Sequence, residues 1–186
     1  MNKDYFTDFS RRYKQEIGLP FAIETTAQSI TEYSARMLVE ANCVSASIGL
    51  ETGSERLRRD ILGKKVSNST YNKCFGIMKK YGIRKVANFM FFLPKETEQD
   101  IWMNVEASRE WEIDSPNVGI LYPYKATKIR KMALEMNLLT EEELSATEDS
   151  YNPYLTRKGT VFKFDESYKK KVMGIYENFS LYQILP

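Results

Sequence analysis

The chain has 186 residues, 42% hydrophobic and 28% charged, enough for one sizeable core with an appendage. Its 27 basic and 25 acidic side chains leave a net charge of +2, which argues against a nucleic-acid groove or a polybasic membrane anchor. Histidine is absent and cysteine occurs twice, so Ser-His and Cys-His catalysis, histidine metal sites and a complete iron-sulfur site within these residues are all excluded.

In chain order, Tyr5, Phe6, Phe9, Tyr13 and Ile17 recur at helical spacing, and Gly18-Leu19-Pro20 ends that helix. Phe21-Ala22-Ile23 reads as a short strand. Thr31 suits the N-cap of a helix through Ala41, with Asn42 available for a left-handed residue after it. Val44 to Leu50 forms the next strand, and Ser54 caps a short helical pattern carrying Leu57 and Ile61. Ser67 caps the best-specified helix, where Tyr71, Cys74, Phe75 and Met78 share a face and Gly82 follows.

Val86 to Leu93 is a continuous apolar run broken by Asn88, the signature of a parallel strand covered on both faces. Thr97 and Asp100 resemble a capping box opening a helix to about Glu112. Val118 to Tyr122 is a strand stopped by Pro123, and Thr127 starts another helix. Residues 140–160 read as a partly mobile connector, after which Asp165 caps a helix with an apolar stripe of Tyr168, Val172, Ile175, Tyr176 and Phe179. No apolar run approaches the roughly 20 residues needed to span a membrane. With Asp4 and Asp8 interrupting any signal-peptide pattern, a cytoplasmic protein is the simplest expectation.

Helices alternating with strands at this spacing imply right-handed parallel β-α-β units, either an open sheet or part of a barrel. Ligand chemistry then gathers at the strands' carboxyl ends: Glu24-Thr25, Glu51 to Ser54, Pro94 to Thr97 and Tyr122 to Lys125. Glu51 suits ribose hydroxyls or an ammonium group, Gly53 permits a close backbone approach, and Ser54 opens a helix whose amides suit an anion. Equally, Glu51 reads as a surface carboxylate and Ser54 as a cap alone. Asn88 and Tyr122 are substrate-facing candidates, with a hydrogen-bonded structural asparagine and a packing tyrosine as the alternatives. Cys43 and Cys74 read as packing thiols.

Six segments in register resemble the radical SAM superfamily, closest to its cobalamin-binding branch, over about Tyr5 to Leu139. Leu19-Pro20-Phe21 resembles its strand-opening segment, Leu38 to Cys43 its L-x-x-A-G-C turn, and Ile48 to Ser54 its G-[IL]-E-S-G-[SN] loop. Ile61 to Lys64 resembles I-L-x-R, Leu93 to Thr97 resembles G-L-P-G-E-T, and Pro123 to Thr127 resembles P-Y-P-G-T. The resemblance implies a partial parallel (β/α) barrel of about four strands, truncated at the N-terminus, over residues 1–139, with a connector and C-terminal helix over 140–186. It also implies S-adenosylmethionine bound against a [4Fe-4S] cluster, with cobalamin allowed, and a small-molecule substrate.

By position, Glu51, Gly53, Ser54, Lys64 and Glu96 are the implied cofactor-binding residues, Lys64 facing the carboxylate where relatives often carry Arg; Lys64 reads equally as a solvated surface lysine beside Lys65. The family's C-x-x-x-C-x-x-C cluster segment is absent. This chain is therefore expected to be a fragment unable to bind the cluster alone, its partner the missing N-terminal half of the same protein. A cluster-free α/β binding module is the alternative. Asn42, Phe92, Lys95 and Ala126 stand where the patterns have glycine, and Phe92 removes a close backbone approach on the adenine side. Unpaired sheet edges predict association between copies, or coverage of the lumen by the last helix. Neither a nucleic-acid partner nor a membrane span is expected.

Overall fold

A computed structural model describes residues 3–148 and 159–185. Its elements run α1 (Lys3–Glu16), β1 (Phe21–Thr25), a 3-10 turn (Ala27–Ser29), α2 (Glu32–Glu40), β2 (Cys43–Glu51), α3 (Glu55–Asp60) and α4 (Asn68–Lys80). There follow β3 (Arg84–Phe91), α5 (Glu98–Glu110), β4 (Ser115–Ile120), α6 (Lys128–Glu135), α7 (Glu141–Glu148), α8 (Glu166–Glu177) and α9 (Phe179–Ile184). The four parallel strands form one sheet in the order β1-β2-β3-β4, with β1 pairing β2 so that Ala22 lies opposite Ser45 and Glu24 opposite Ser47. None of the described helices is long and apolar enough to cross a membrane.

The caps expected from sequence close these helices. Thr31 accepts from the Ser34 N–H in a capping box, Ser67 accepts from Thr70 and Thr127 from Arg130. Asp165 accepts from the Ser167 and Tyr168 amides. Thr97 and Asp100 exchange hydrogen bonds, the Thr97 N–H donating to Asp100 at 2.9 Å and the Asp100 N–H to Thr97 Oγ1 at 3.3 Å.

The chain divides into two compact units. The first comprises Met1–Glu51, Val66–Asn88 and Ala107–Asn117. Its core stacks Phe75 and Tyr71 against Trp111, with ring centroids 5.6 and 6.0 Å apart, and the Tyr71 hydroxyl donates to the Gly49 carbonyl at 3.2 Å. Lys85 is buried and donates its ammonium to the Trp111 carbonyl at 3.1 Å, which satisfies an otherwise costly buried charge.

The second unit comprises Thr52–Lys65, Phe89–Glu106 and Val118–Pro186. Here α8 and α9 supply Tyr176 and Phe179 against Phe91, and Phe179 against Phe89 at 5.2 Å. The helix thus meets the face of β3 that carries Phe89 and Phe91.

Four expectations need correction. β3 is not covered on both faces: Lys85, Ala87, Phe89 and Phe91 are buried while Val86, Asn88 and Met90 are half-buried, the alternation of a strand with one packed face. β4 begins three residues earlier than its apolar run and contains Pro116, tolerated because β4 is an edge strand, and the Asp114 N–H already pairs with the Lys85 carbonyl. Residues 141–148 of the expected connector are helical, begun by a Thr140–Glu143 exchange of hydrogen bonds, while residues 149–158 of it lie outside the described residues. The last helix is broken at Asn178 into α8 and α9.

Candidate functional site

At the carboxyl end of β2 the backbone leaves the strand through Glu51, which is half-buried and left-handed at φ 69°. Thr52 is fully buried, and its carbonyl accepts from the buried Arg58 guanidinium. The Gly53 N–H donates to Asn104 Oδ1 at 2.6 Å, and a Cβ on Gly53 would lie 2.2 Å from the Met103 carbonyl oxygen. The close approach foreseen at Gly53 is therefore made by helix α5, and only glycine permits it.

Ser54 then caps α3, accepting from the Leu57 N–H at 3.4 Å, and is itself buried. It also bonds Asp100, which accepts from Thr97 Oγ1 at 2.7 Å and from Arg56 at 2.6 Å. Burial works to raise the Asp100 pKa, and the donors from Ser54 and Thr97 with the Arg56 guanidinium more than reverse this. α5 thus fixes the loop from two positions one turn apart, Asp100 and Asn104.

Glu96 is buried. Its Oε2 accepts from the Phe92 N–H at 2.7 Å and the Tyr168 hydroxyl at 3.3 Å, while Oε1 has no hydrogen-bond partner among the described residues. Burial pushes this carboxyl up to about 8, so it is neutral at pH 7, and the same buried neighbourhood drives the Tyr168 pKa upward. Phe92 is fully buried against Phe164 and Tyr168, at centroid distances of 5.7 and 6.3 Å.

Of the five cofactor-binding candidates, Glu51 and Lys64 are half-buried, whereas Gly53, Ser54 and Glu96 are buried and bonded within the protein. Tyr122 is buried and lines a cavity of about 280 Å³ with Met90, Leu121, Tyr124 and Ile129. Asn88 lies on the half-buried face of β3, where Nδ2 donates to Ser47 Oγ at 3.1 Å and Oδ1 accepts from Asn117 Nδ2 at 3.0 Å. Sequence reading missed Ser47, Asn117 and Asn104. The first two carry a signal in hindsight, since each is a polar residue inside a strand on the same alternation as a neighbour's; Asn104 carries only its i+4 spacing from Asp100.

The four residues standing where glycine was expected all keep a left-handed backbone: Asn42 at φ 77°, Phe92 at 63°, Lys95 at 62° and Ala126 at 62°. These turns require positive φ whatever the side chain, so glycine's conformation persists without glycine. That geometry at motif positions is matched by a comparison of the whole sequence, in which the pattern defining the radical SAM superfamily fits residues 1–107.

The chain belongs to the radical SAM superfamily. It is 25% identical over 140 residues to an uncharacterized methyltransferase of Pyrococcus horikoshii, covering 75% of this chain and 30% of that protein. Its fold is similar to the radical SAM methyltransferase TsrM of Kitasatospora setae, solved with cobalamin and a [4Fe-4S] cluster bound (17% identity, TM-score 0.60, 72% of this chain and 27% of that one). It is also similar to coproporphyrinogen III oxidase, HemN, of Escherichia coli, a radical SAM enzyme (11% identity, TM-score 0.64, 97% and 37%). The chain spans about a third of the length of these relatives.

Radical SAM membership implies S-adenosylmethionine and a [4Fe-4S] cluster. The two cysteines of this sequence are fewer than the thiolates such a cluster ordinarily takes. Both cysteines are buried, burial pushing the Cys74 thiol up to about 12 and raising that of Cys43, and no group of three metal-ligating side chains forms among the described residues. Glu51 and Lys64 are each half-buried; a carboxylate can accept from paired hydroxyls or an ammonium group, and an ammonium group can neutralise a carboxylate.

Proposed function

We propose that this chain forms part of the S-adenosylmethionine and substrate wall of a radical SAM methyltransferase, with cobalamin as a further cofactor of the whole protein. The observation that carries the reading is the β2-end loop. Glu51 is held left-handed at the strand's carboxyl end, with Thr52, Gly53 and Ser54 locked behind it by α5. A loop fixed in this way holds its one half-buried carboxylate in place before ligand arrives, which lowers the entropic cost of binding. The thiolates for the cluster come, in this reading, from the N-terminal half of the same protein. The methyltransferase assignment is supported by the Pyrococcus relative and the likeness to TsrM.

In this reading Glu51 accepts from the ribose hydroxyls or the ammonium group, Lys64 pairs with the carboxylate, and Ser54 and Glu96 set the backbone of the two loops. Bound S-adenosylmethionine would supply the methyl group or the radical. The second reading, a cluster-free α/β binding module, is favoured by the two buried, high-pKa thiols. Titration of the labelled chain with S-adenosylhomocysteine tests the choice. Saturable NMR shifts at the Thr52 to Ser54 amides are expected, and their absence overturns the first reading in favour of the second.

A further inference from the structure

Within the second unit, the two ends of α8 are held by different chemistry. Its start is clasped to the β3-end loop: the Tyr168 hydroxyl donates to Glu96 Oε2 at 3.3 Å, and the same oxygen accepts from the Phe92 N–H at 2.7 Å. Phe164 and Tyr168 lie against Phe92 around this clasp, and at the rim Lys171 bonds Glu98 at 2.8 Å, a half-exposed pair that contributes little. The end of the helix is anchored by apolar packing instead. Val172 and Ile175 are buried, and Tyr176 and Phe179 pack on Phe91.

The clasp depends on one proton. Glu96 Oε1 is buried with no hydrogen-bond partner among the described residues, and an ionised carboxylate needs donors on both oxygens. The charged groups nearby supply none. Asp100 of α5 repels the charge and is paired with Arg56 of α3, Glu98 of α5 is paired with Lys171 of α8, and Lys95 of the same loop is exposed. Lifting Tyr168 and its helix turn lets water reach the carboxylate while the apolar anchor stays closed.

We propose that residues 164–171 form a proton-held latch on the β3-end loop, closed while Glu96 is neutral and lifting away when Glu96 ionises, with the rest of α8 in place. The direction follows from burial, which raises the closed-state pKa from 4.5 to about 8, so that opening releases a proton between those values. Opening therefore becomes easier as pH rises from about 4.5 to about 8, by up to about tenfold per pH unit, and levels off above. Thr97 and Asp100 tie the latched loop to Ser54, so the latch also regulates the order of the β2-end loop. That consequence rests on the reading above; the latch itself does not.

Native-state hydrogen exchange of the full chain, corrected for the intrinsic chemical rate, tests the latch without any ligand. Protection of the Lys169 to Lys171 amides should fall at least about tenfold from pH 5.5 to pH 7.5, and at pH 7.5 should lie at least about tenfold below that of Tyr176 and Glu177. Glu96→Gln should remove the fall with pH. Tyr168→Phe, which keeps the ring, should lower protection of Lys169 to Lys171 about fivefold at pH 5.5. Protection that is independent of pH, equal at both ends of α8, equally pH-dependent in Glu96→Gln, or unchanged in Tyr168→Phe would overturn the inference. The S-adenosylhomocysteine titration is a separate measurement, so failure of the binding reading and failure of the latch are distinguished.

Discussion

The Tyr168 hydroxyl of α8 donates to the buried carboxyl of Glu96 at 3.3 Å, and the other carboxyl oxygen has no hydrogen-bond partner among the described residues. This joins a motif loop to the C-terminal helix through a group that is neutral at pH 7.

A pH dependence follows. Glu96 has a native pKa raised from 4.5 to about 8, so between those values the unfolded chain releases a proton that the native chain keeps. Stability should therefore fall as pH rises from about 4.5 to about 8, by on the order of a few kcal/mol, and level off above. Urea unfolding at pH 5.5, 7 and 8.5 measures this. Glu96→Gln, which keeps an acceptor for the Phe92 N–H, should remove that part of the slope; an unchanged slope in the variant would refute the assignment.

The substituted glycines give a test in which two effects compete. Lys95→Gly and Ala126→Gly relieve left-handed strain at exposed side chains and should each stabilise by about 0.5–1 kcal/mol. Phe92→Gly relieves the same strain but removes a fully buried ring packed on Phe164 and Tyr168, costing about 3–5 kcal/mol, so it should destabilise. Thermal unfolding of the three variants gives the signs directly.

Gly53 and Gly76 make an opposed pair. Gly53→Ala drives a Cβ to 2.2 Å from the Met103 carbonyl and should cost at least about 2 kcal/mol with loss of loop order. Gly76 lies exposed inside α4 with nothing within 4 Å of its Cβ position, so Gly76→Ala should stabilise by about 0.5–1 kcal/mol. Equal effects at the two sites would show that α5 does not hold the loop as described.

The order of helices and strands was legible because caps and periodicity are local: Thr31, Ser54, Ser67, Thr127 and Asp165 each close the helix they announce. What escaped was set by tertiary partners. Nothing near Gly53 in sequence says that Met103 and Asn104 will press on it, and nothing near Glu96 says that Tyr168 will bury it. The Asn88 row escaped for the same reason, since it needs three strands in register. The superfamily was readable from six short segments, and the backbone at Asn42, Phe92, Lys95 and Ala126 shows what those segments specify: a dihedral, with glycine as one way of reaching it.

In the proposed reading the β2-end loop contacts S-adenosylmethionine through Glu51. Calorimetric titration of S-adenosylmethionine into the chain, Glu51→Gln and Lys64→Ala tests it most directly. Saturable binding is expected, weakened about tenfold by Glu51→Gln through loss of charge-assisted hydrogen bonds and less by Lys64→Ala. No saturable binding, or equal affinity in all three proteins, would contradict it.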